Sequence, residues 1–193
     1  MSQAIKSKNF RRFSGRTARL QQGISIISVL LGLVIAAAVV AVVYNQYTDS
    51  QRKARIEAAT SDIATMIAGA QKLYGNANQY GAVTTAVAVQ SGVVPERMRV
   101  AGTTTAQNRY NGAVTFTPAT ITVANDSLAL GYGSVRAVDC QDIIMSVDTL
   151  SRAISVGATQ VKPNDGQVAV ADMATACDSA ANVDLTITFG RGQ

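Results

Sequence analysis

Hydrophobic side chains form one long block near the N-terminus of this chain, and later segments alternate between apolar and polar positions. The block runs for twenty residues, from Ile24 to Val43, and consists almost entirely of Ile, Leu, Val and Ala. A helix rises about 1.5 Å per residue, so this block would be about 30 Å long as a helix, which matches the hydrocarbon core of a bilayer. We therefore expect the segment to enter a membrane.

The helical pattern continues beyond this block with a single apolar face. Apolar or small residues recur every three or four positions, the spacing of one helix face, at Ile56, Ala59, Ile63, Ile67, Ala70 and Tyr74. No proline interrupts residues 25–74, and Gly75 follows the last periodic position. The sequence predicts one helix about 75 Å long over these residues, ending at Gly75.

A polar connection and then a sheet are predicted after this helix. Residues 75–110 are rich in Asn, Gly, Ala and Thr, and they include a predicted short helix near Thr84–Ser91. Strict alternation predicts a hairpin that turns at residues 125–127 and a last strand near the C-terminus. The alternating residues are Val114, Phe116, Ile121 and Val123, then Leu128, Leu130 and Tyr132, and finally Val183, Leu185, Ile187 and Phe189.

A second helix is predicted between the hairpin and the last strand. Its apolar positions are Ile143, Ile144, Val147, Leu150 and Ile154, and Asp139 is a candidate N-cap. The expected fold class is α+β, with an antiparallel sheet that packs one face on the amphipathic half of the long helix.

The residues before the apolar block carry positive charge only. Six Lys or Arg side chains and no acidic residue lie in residues 1–23, which favours keeping this leader on the cytoplasmic side of a membrane. The whole chain carries a net charge of +5, but without the leader it has 11 basic and 12 acidic residues, a net charge of about −1. A nearly neutral chain argues against a nucleic-acid partner.

Three interpretations compete for the apolar block. It is the core of an ordinary secretory signal cut near Ala36-Ala37-Ala38, a permanent single-span anchor, or a segment retained after a cut that follows Gly23. The third interpretation is preferred, because the first leaves an exposed Val-rich terminus. It divides the chain into a removed leader (residues 1–23), a membrane or filament-core helix (24–50) and an extracytoplasmic domain (51–193).

A basic leader that ends in Gly23, an uncharged apolar helix, an amphipathic continuation and two late cysteines together resemble a type IV prepilin. The leader of about two dozen residues and the non-Phe residue Ile24 are similar to the type IVb branch. The resemblance implies that a prepilin peptidase cleaves between Gly23 and Ile24 and methylates the new amino terminus at Ile24. It also implies an inner-membrane precursor that an assembly machinery then adds to a filament.

Ser28 departs from the pattern of this family. The family usually has Glu at the fifth residue after the cut, where its charge is thought to pair with the free amine of a neighbouring subunit. Ser28 can donate and accept a hydrogen bond, but it cannot neutralise an amine. The substitution therefore bears on the assembly register, or on whether the protein is a principal subunit or a minor one.

Cys140 and Cys177 are the two cysteines of the chain. They would be free thiols in a reducing compartment, whereas an exported domain of this size favours a disulfide between them. The resemblance implies the same bridge, because a late disulfide delimits the variable surface region of type IV pilins.

Catalytic chemistry has little support in the sequence. The chain contains no histidine, which removes Ser-His and Cys-His pairs and the commonest metal ligand. Asp139, Asp142, Asp172 and Asp178 flank the cysteines, and they are either solvated surface groups or a weak cation site. We expect no enzyme and no cofactor. Arg97, Arg99 and Arg109 lie in the polar connection of residues 75–110, which we call the connector. We expect these side chains on the solvated surface in preference to contacts with acidic neighbours.

These observations favour a structural subunit that assembles with copies of itself into an extracellular filament. The resemblance implies a role in adhesion, aggregation or conjugative cell contact. The alternatives are a minor pilin, a pseudopilin of a type II secretion or DNA-uptake apparatus, and a single-span membrane-anchored binding protein that retains residues 1–23.

Overall fold

The computed structural model describes residues 25–75 and 80–190, and the chain divides into two units, Met1–Asn45 and Gln46–Gln193. Helix α1 extends over Ile26–Ala70, and a single π-helical turn follows at Gln71–Gly75. The predicted long helix and its end at Gly75 are confirmed. The expected leader and the Gly23-Ile24 junction lie outside the described residues.

The second unit contains the amphipathic part of α1. Its buried side chains recur every three or four residues, as the sequence pattern predicts, at Ala59, Asp62, Ile63, Met66, Ile67 and Ala70. All of these except Asp62 belong to one hydrophobic core that also contains inward-facing residues of the sheet. Burial of this stripe therefore attaches the helix to the domain.

Short helices occupy the connection after α1. A 3-10 turn at Tyr80–Ala82 precedes helix α2 at Thr85–Gln90, and a second 3-10 turn lies at Glu96–Met98. The Thr84 hydroxyl caps α2 by accepting a hydrogen bond from the backbone N–H of Val87. The predicted short helix near residues 84–91 is confirmed.

Six strands form one sheet in the described part of the chain, and neighbouring strands are all antiparallel. The spatial order is β1-β2-β3-β6-β4-β5. Their bounds are β1 Ala106–Gln107, β2 Ala113–Ala119, β3 Ser127–Arg136, β4 Ala153–Val156, β5 Thr159–Lys162 and β6 Asn182–Gly190. The C-terminal strand β6 thus lies in the centre, between β3 and β4, where its alternating apolar residues are buried.

The hairpin differs from its prediction at one end. Strand β2 ends at Ala119, so Ile121 and Val123 lie in the loop and not in the strand. The Asp126 carboxylate accepts hydrogen bonds from the backbone N–H groups of residues 121, 122 and 123 at 2.7–2.8 Å. These bonds hold the segment in a loop, and apolar alternation along the chain gives no sign of them.

The helix between the hairpin and the last strand also differs from its prediction. Helix α3 spans Ala137–Val147 and continues as a 3-10 turn to Leu150, while Ile154 is a buried residue of β4. Arg136 occupies the N-cap position, so the expectation that Asp139 caps this helix is wrong. A further helix, α4 at Val170–Cys177, was not predicted, because it is only eight residues long, although Val170, Met173 and Cys177 follow helical spacing.

The chain covers parts of both edges of its own sheet, and because β1 pairs with β2 only at residues 113 and 114, the rest of β2 is an outer edge. On the β2 side, the outward-facing N–H of Phe116 donates to the Thr85 hydroxyl at 3.0 Å, and Pro118, two residues further on, has no N–H. On the β5 side, the backbone N–H of Ala169 donates to the carbonyl of Val161 at 2.8 Å. Strand addition by another chain is therefore hindered at these positions.

Candidate assembly surface

The N-terminal part of α1, in the first unit, exposes its apolar side chains on every face. Each Ile, Leu, Val and Tyr from Ile26 to Tyr44 is more than half exposed, from 52% at Val29 to 77% at Ile26 and Ile27. Burying a Val, Leu or Ile side chain stabilises by about 1.5–3 kcal/mol. A surface of this kind requires a lipid or protein covering.

This helix satisfies the length and composition of a membrane span. Within the described residues, one helix does so, the 50-residue helix Ile26–Gly75, whose most apolar window has a mean hydropathy of 3.1 and no buried residue. The helix lies near the N-terminus, where signal sequences also lie. Length and hydropathy therefore agree with the expected membrane segment, while the choice between a retained span and a signal depends on processing.

Polar groups in this segment are few and short. The Ser28 hydroxyl donates to the backbone carbonyl of Ser25 at 2.7 Å, so its proton is used within the helix. Asp49 is the first carboxylate along α1, which leaves the preceding apolar segment without negative charge. A Cβ added at Gly32 would meet no atom within 4 Å, so this glycine leaves a small open notch on the helix surface.

The second unit buries a carboxylate within the apolar stripe of α1. Asp62 is 0% exposed, and its two oxygens accept hydrogen bonds from Arg97 and, at 3.0 Å, from Arg109. Both arginines belong to the connector, and their side chains are 56% and 39% exposed, so the expected surface location is confirmed, whereas the expectation that they have no acidic contact is wrong. Arg99 instead donates to the backbone carbonyl of Val94 at 2.8 and 2.9 Å.

A second buried carboxylate lies at the start of α3. Asp139 is 0% exposed and accepts hydrogen bonds from Arg52 of α1 at 3.0 Å and from the Tyr110 hydroxyl at 3.2 Å. Arg52 also donates to Asp142 at 2.6 Å. Burial, and then the negative charge of Asp139, raise the pKa of Tyr110 well above its ordinary value, so this hydroxyl remains a neutral donor.

The disulfide connects α3 to α4. Cys140 and Cys177 are bonded, with their Cα atoms 5.7 Å apart, and the two residues are 0% and 1% exposed. Between them lie the last part of α3, strands β4 and β5, and most of α4. The bridge therefore encloses one edge of the sheet together with two helices.

The four aspartates near the cysteines do not form a metal site. No group of three or more His, Cys, Asp or Glu side chains that could hold a metal ion occurs among the described residues. Asp139 and Asp142 are paired with Arg52, so the cation-site interpretation of these two carboxylates has no geometric support.

Two open grooves run along the exposed face of the amphipathic part of α1. One of about 640 Å³ lies towards α3, and another of about 470 Å³ lies towards Arg97 and Arg109 of the connector. The larger groove is lined by Lys53, Ile56, Glu57, Thr60, Ser61, Ala64, Asp142 and Ser146. Both grooves are open surfaces along the helix.

Comparison with known proteins places this arrangement in a family. The family model described as PilS N terminal matches residues 53–190, well over half of the chain. The protein belongs to the PilS N-terminal family. No curated protein sequence matches this PilS-family chain.

The solved structures include a protein with the same fold. The crystal structure of TcpA, a type IV pilin from Vibrio cholerae El Tor biotype, matches with a TM-score of 0.53 and 15% identity, over 70% of this PilS-family chain and 99% of that chain. The resemblance to type IV pilins and the fold class, a long N-terminal apolar helix followed by an antiparallel sheet, are confirmed. Family and fold together support a pilus subunit.

The burial of these two carboxylates was not predicted from the sequence, although one of them has a signal in the sequence pattern. Asp62 lies three residues after Ala59 and four before Met66, and therefore on the apolar face of α1. A charged residue at such a position requires a partner when it is buried. Asp139 had no comparable signal, because its partner Arg52 lies 87 residues away in the chain.

Proposed function

We propose that this protein is the structural subunit of a type IV pilus of the IVb kind, built by packing the apolar segments of α1 into a filament core. The observation that carries this proposal is the apolar half of α1, which is exposed on all faces while the second unit has its own buried core. Lipid covers such a helix before assembly, and copies of the same helix cover it afterwards.

The proposal includes the processing expected from the sequence. A prepilin peptidase cuts between Gly23 and Ile24 and methylates Ile24, and the inner-membrane assembly machinery then receives the mature subunit. The domain division proposed is a leader at 1–23, a membrane and filament-core helix at 24–50, and an extracytoplasmic domain at 51–193. The precursor is a single-pass inner-membrane protein and the product is extracellular.

The biological role proposed is cell contact, as adhesion, aggregation or conjugation, which rests on the resemblance to the type IVb branch. Deleting the gene should reduce at least one of surface attachment, autoaggregation and mating frequency. Unchanged values in all three assays would contradict this role while leaving the filament itself in place.

A minor pilin is the second candidate, and Ser28 favours it. The apolar segment carries no carboxylate before Asp49, so it cannot neutralise a buried amine in the way that Glu does in the family. The abundance of the protein in sheared filaments separates the two candidates. A principal subunit forms most of the filament mass, whereas a minor one is a small fraction of it.

Processing is tested by the intact mass of the membrane and sheared fractions in wild type, Gly23→Leu and Gly32→Ala. The control Gly32→Ala adds a methyl group in open space on the same segment. We expect wild type and control to begin at a methylated Ile24, and Gly23→Leu to retain Met1 and stay in the membrane. A mature terminus at Val39, or retention of Met1 in wild type, would refute the filament proposal.

A further inference from the structure

A rigid turn lies between the two buried carboxylates. In the turn Asn108–Gly112, the side-chain oxygen of Asn108 accepts hydrogen bonds from the backbone N–H groups of Tyr110 and Gly112 at 2.8 and 2.9 Å. The Asn108 amide nitrogen donates to the carbonyl of Gly133 at 2.6 Å, which attaches the turn to β3. The turn also contains Asn111 with φ of 60°, a conformation that asparagine tolerates well.

Two consecutive side chains of this turn reach carboxylates on different helices. Arg109 donates to Asp62 of α1 at 3.0 Å, and Tyr110 donates to Asp139 of α3 at 3.2 Å. The Tyr110 ring also packs edge-on against Tyr132, with ring centroids 6.5 Å apart. Neither side chain can therefore move far without disturbing the other.

The chain of contacts closes on itself. Arg52 of α1 donates to Asp139 at 3.0 Å, and ten residues further along the same helix Asp62 receives Arg109 and Arg97. The contacts thus lead from α1 to α3, to the turn and back to α1. We call this set of side chains the carboxylate clamp: Arg52, Asp62, Arg97, Arg109, Tyr110 and Asp139.

We propose that the carboxylate clamp makes the connector, α3 and the amphipathic part of α1 open as one cooperative unit. Each buried carboxylate has its two oxygens held by different partners, so the departure of one element leaves a desolvated charge without its full set of donors. Leaving such a charge unpaired is much more costly than breaking an exposed ion pair. Opening of the connector therefore weakens α3, although no hydrogen bond of the clamp joins α3 directly to Asp62.

The clamp has a mechanical consequence that rests on the proposed function. In a filament the helices form the core, and pulling on the outer connector or on the disulfide-bounded region would act on α1 through Arg52, Arg97 and Arg109. Cys140 follows Asp139 directly in the sequence, so the clamp and the disulfide meet in the first turn of α3.

Hydrogen exchange of the full-length protein in detergent micelles tests the clamp without requiring a filament. Asp62→Asn should accelerate amide exchange at least tenfold in the connector, and also in α3, which lies beyond the direct partners of Asp62. The matched control is Asp165→Asn, which breaks an ion pair with Arg152 outside the clamp. Its effect should stay near residues 152–166. Acceleration by Asp62→Asn that is confined to α1 and the connector would overturn the proposal.

A milder variant gives an independent test if Asp62→Asn does not fold. Tyr110→Phe removes one hydroxyl and keeps the ring that packs on Tyr132. We expect exchange to rise at least threefold both in α3 and in residues 106–112, with β4 and β5 unchanged. Faster exchange in α3 alone, or in residues 106–112 alone, would refute the coupling. This measurement uses unassembled protein, so its result does not depend on the filament proposal. That proposal is tested separately, by the intact mass of the mature protein.

Discussion

Removing the Cys140–Cys177 disulfide should destabilise the second unit by about 4 kcal/mol. The two cysteines are 37 residues apart, and closing a loop of this length in the unfolded chain lowers its entropy by an amount worth about 4 kcal/mol at 25 °C. Small domains are stable by about 5–15 kcal/mol in total, so the bridge supplies a large share. For a domain of this size the melting temperature should fall by about 8–16 °C.

The assay compares thermal unfolding, followed by circular dichroism, of wild type and the double variant Cys140→Ala/Cys177→Ala. Alanine also removes two buried sulfur atoms, which adds a packing loss in the same direction. Wild type that has been unfolded, reduced and refolded in reductant retains both sulfurs, so it isolates the effect of the cross-link. We also expect faster amide exchange in residues 141–176 than in β2 and β3 of the reduced protein.

The result that would refute this reasoning is a melting temperature of reduced, refolded wild type within about 2 °C of the oxidised protein. The disulfide would then not lower the entropy of the unfolded chain. Residual structure between α3 and α4 would have to persist in the denatured state and already hold the two cysteines close together. A large fall for the alanine variant alone would assign the effect to packing.

Three further predictions concern the core, the loop and the sheet edge. Met66→Ala should destabilise the second unit by about 2–5 kcal/mol in a denaturant titration, because Met66 is fully buried. The control is Met145→Ala at an exposed position, and equal effects of the two substitutions would contradict the prediction. Hydrogen bonds from the backbone N–H groups of residues 123 and 121 lower the pKa of Asp126, so the stabilisation that they give is complete above about pH 4 and is lost as the pH falls further. The protection of amides 121–123, measured relative to their intrinsic exchange rates, should fall there in wild type and be low at every pH in Asp126→Ala. Thr85→Ala combined with Pro118→Val should leave N–H groups of the β2 edge unpaired and increase aggregation measured by light scattering. A soluble, monodisperse double variant would show that the edge is protected in another way.

Local patterns along the chain were sufficient to predict the regular elements. Helix α1 follows from an apolar block and a stripe with helical spacing, and β6 follows from four buried residues that alternate with polar ones. The turn at residues 125–127 follows from Asn and Asp, which suit such positions. Each of these signals depends on neighbours a few residues apart, because the periods of a helix and of a strand are short.

Tertiary structure alone decided where the charged groups lie and where some elements end. Asp139 suits a helix cap by its residue type, but it is buried because Arg52 and Tyr110 reach it from distant parts of the chain. Ile154 extends the spacing of α3, yet it lies in β4 because that strand pairs with β6. A buried charge needs a partner close in space, and a strand needs a neighbouring strand, and both lie many residues away along the chain. Periodicity therefore determined which segments are helix or strand, whereas the pairing of Asp62 and Asp139 with three arginines and a tyrosine was decided only when the chain packed.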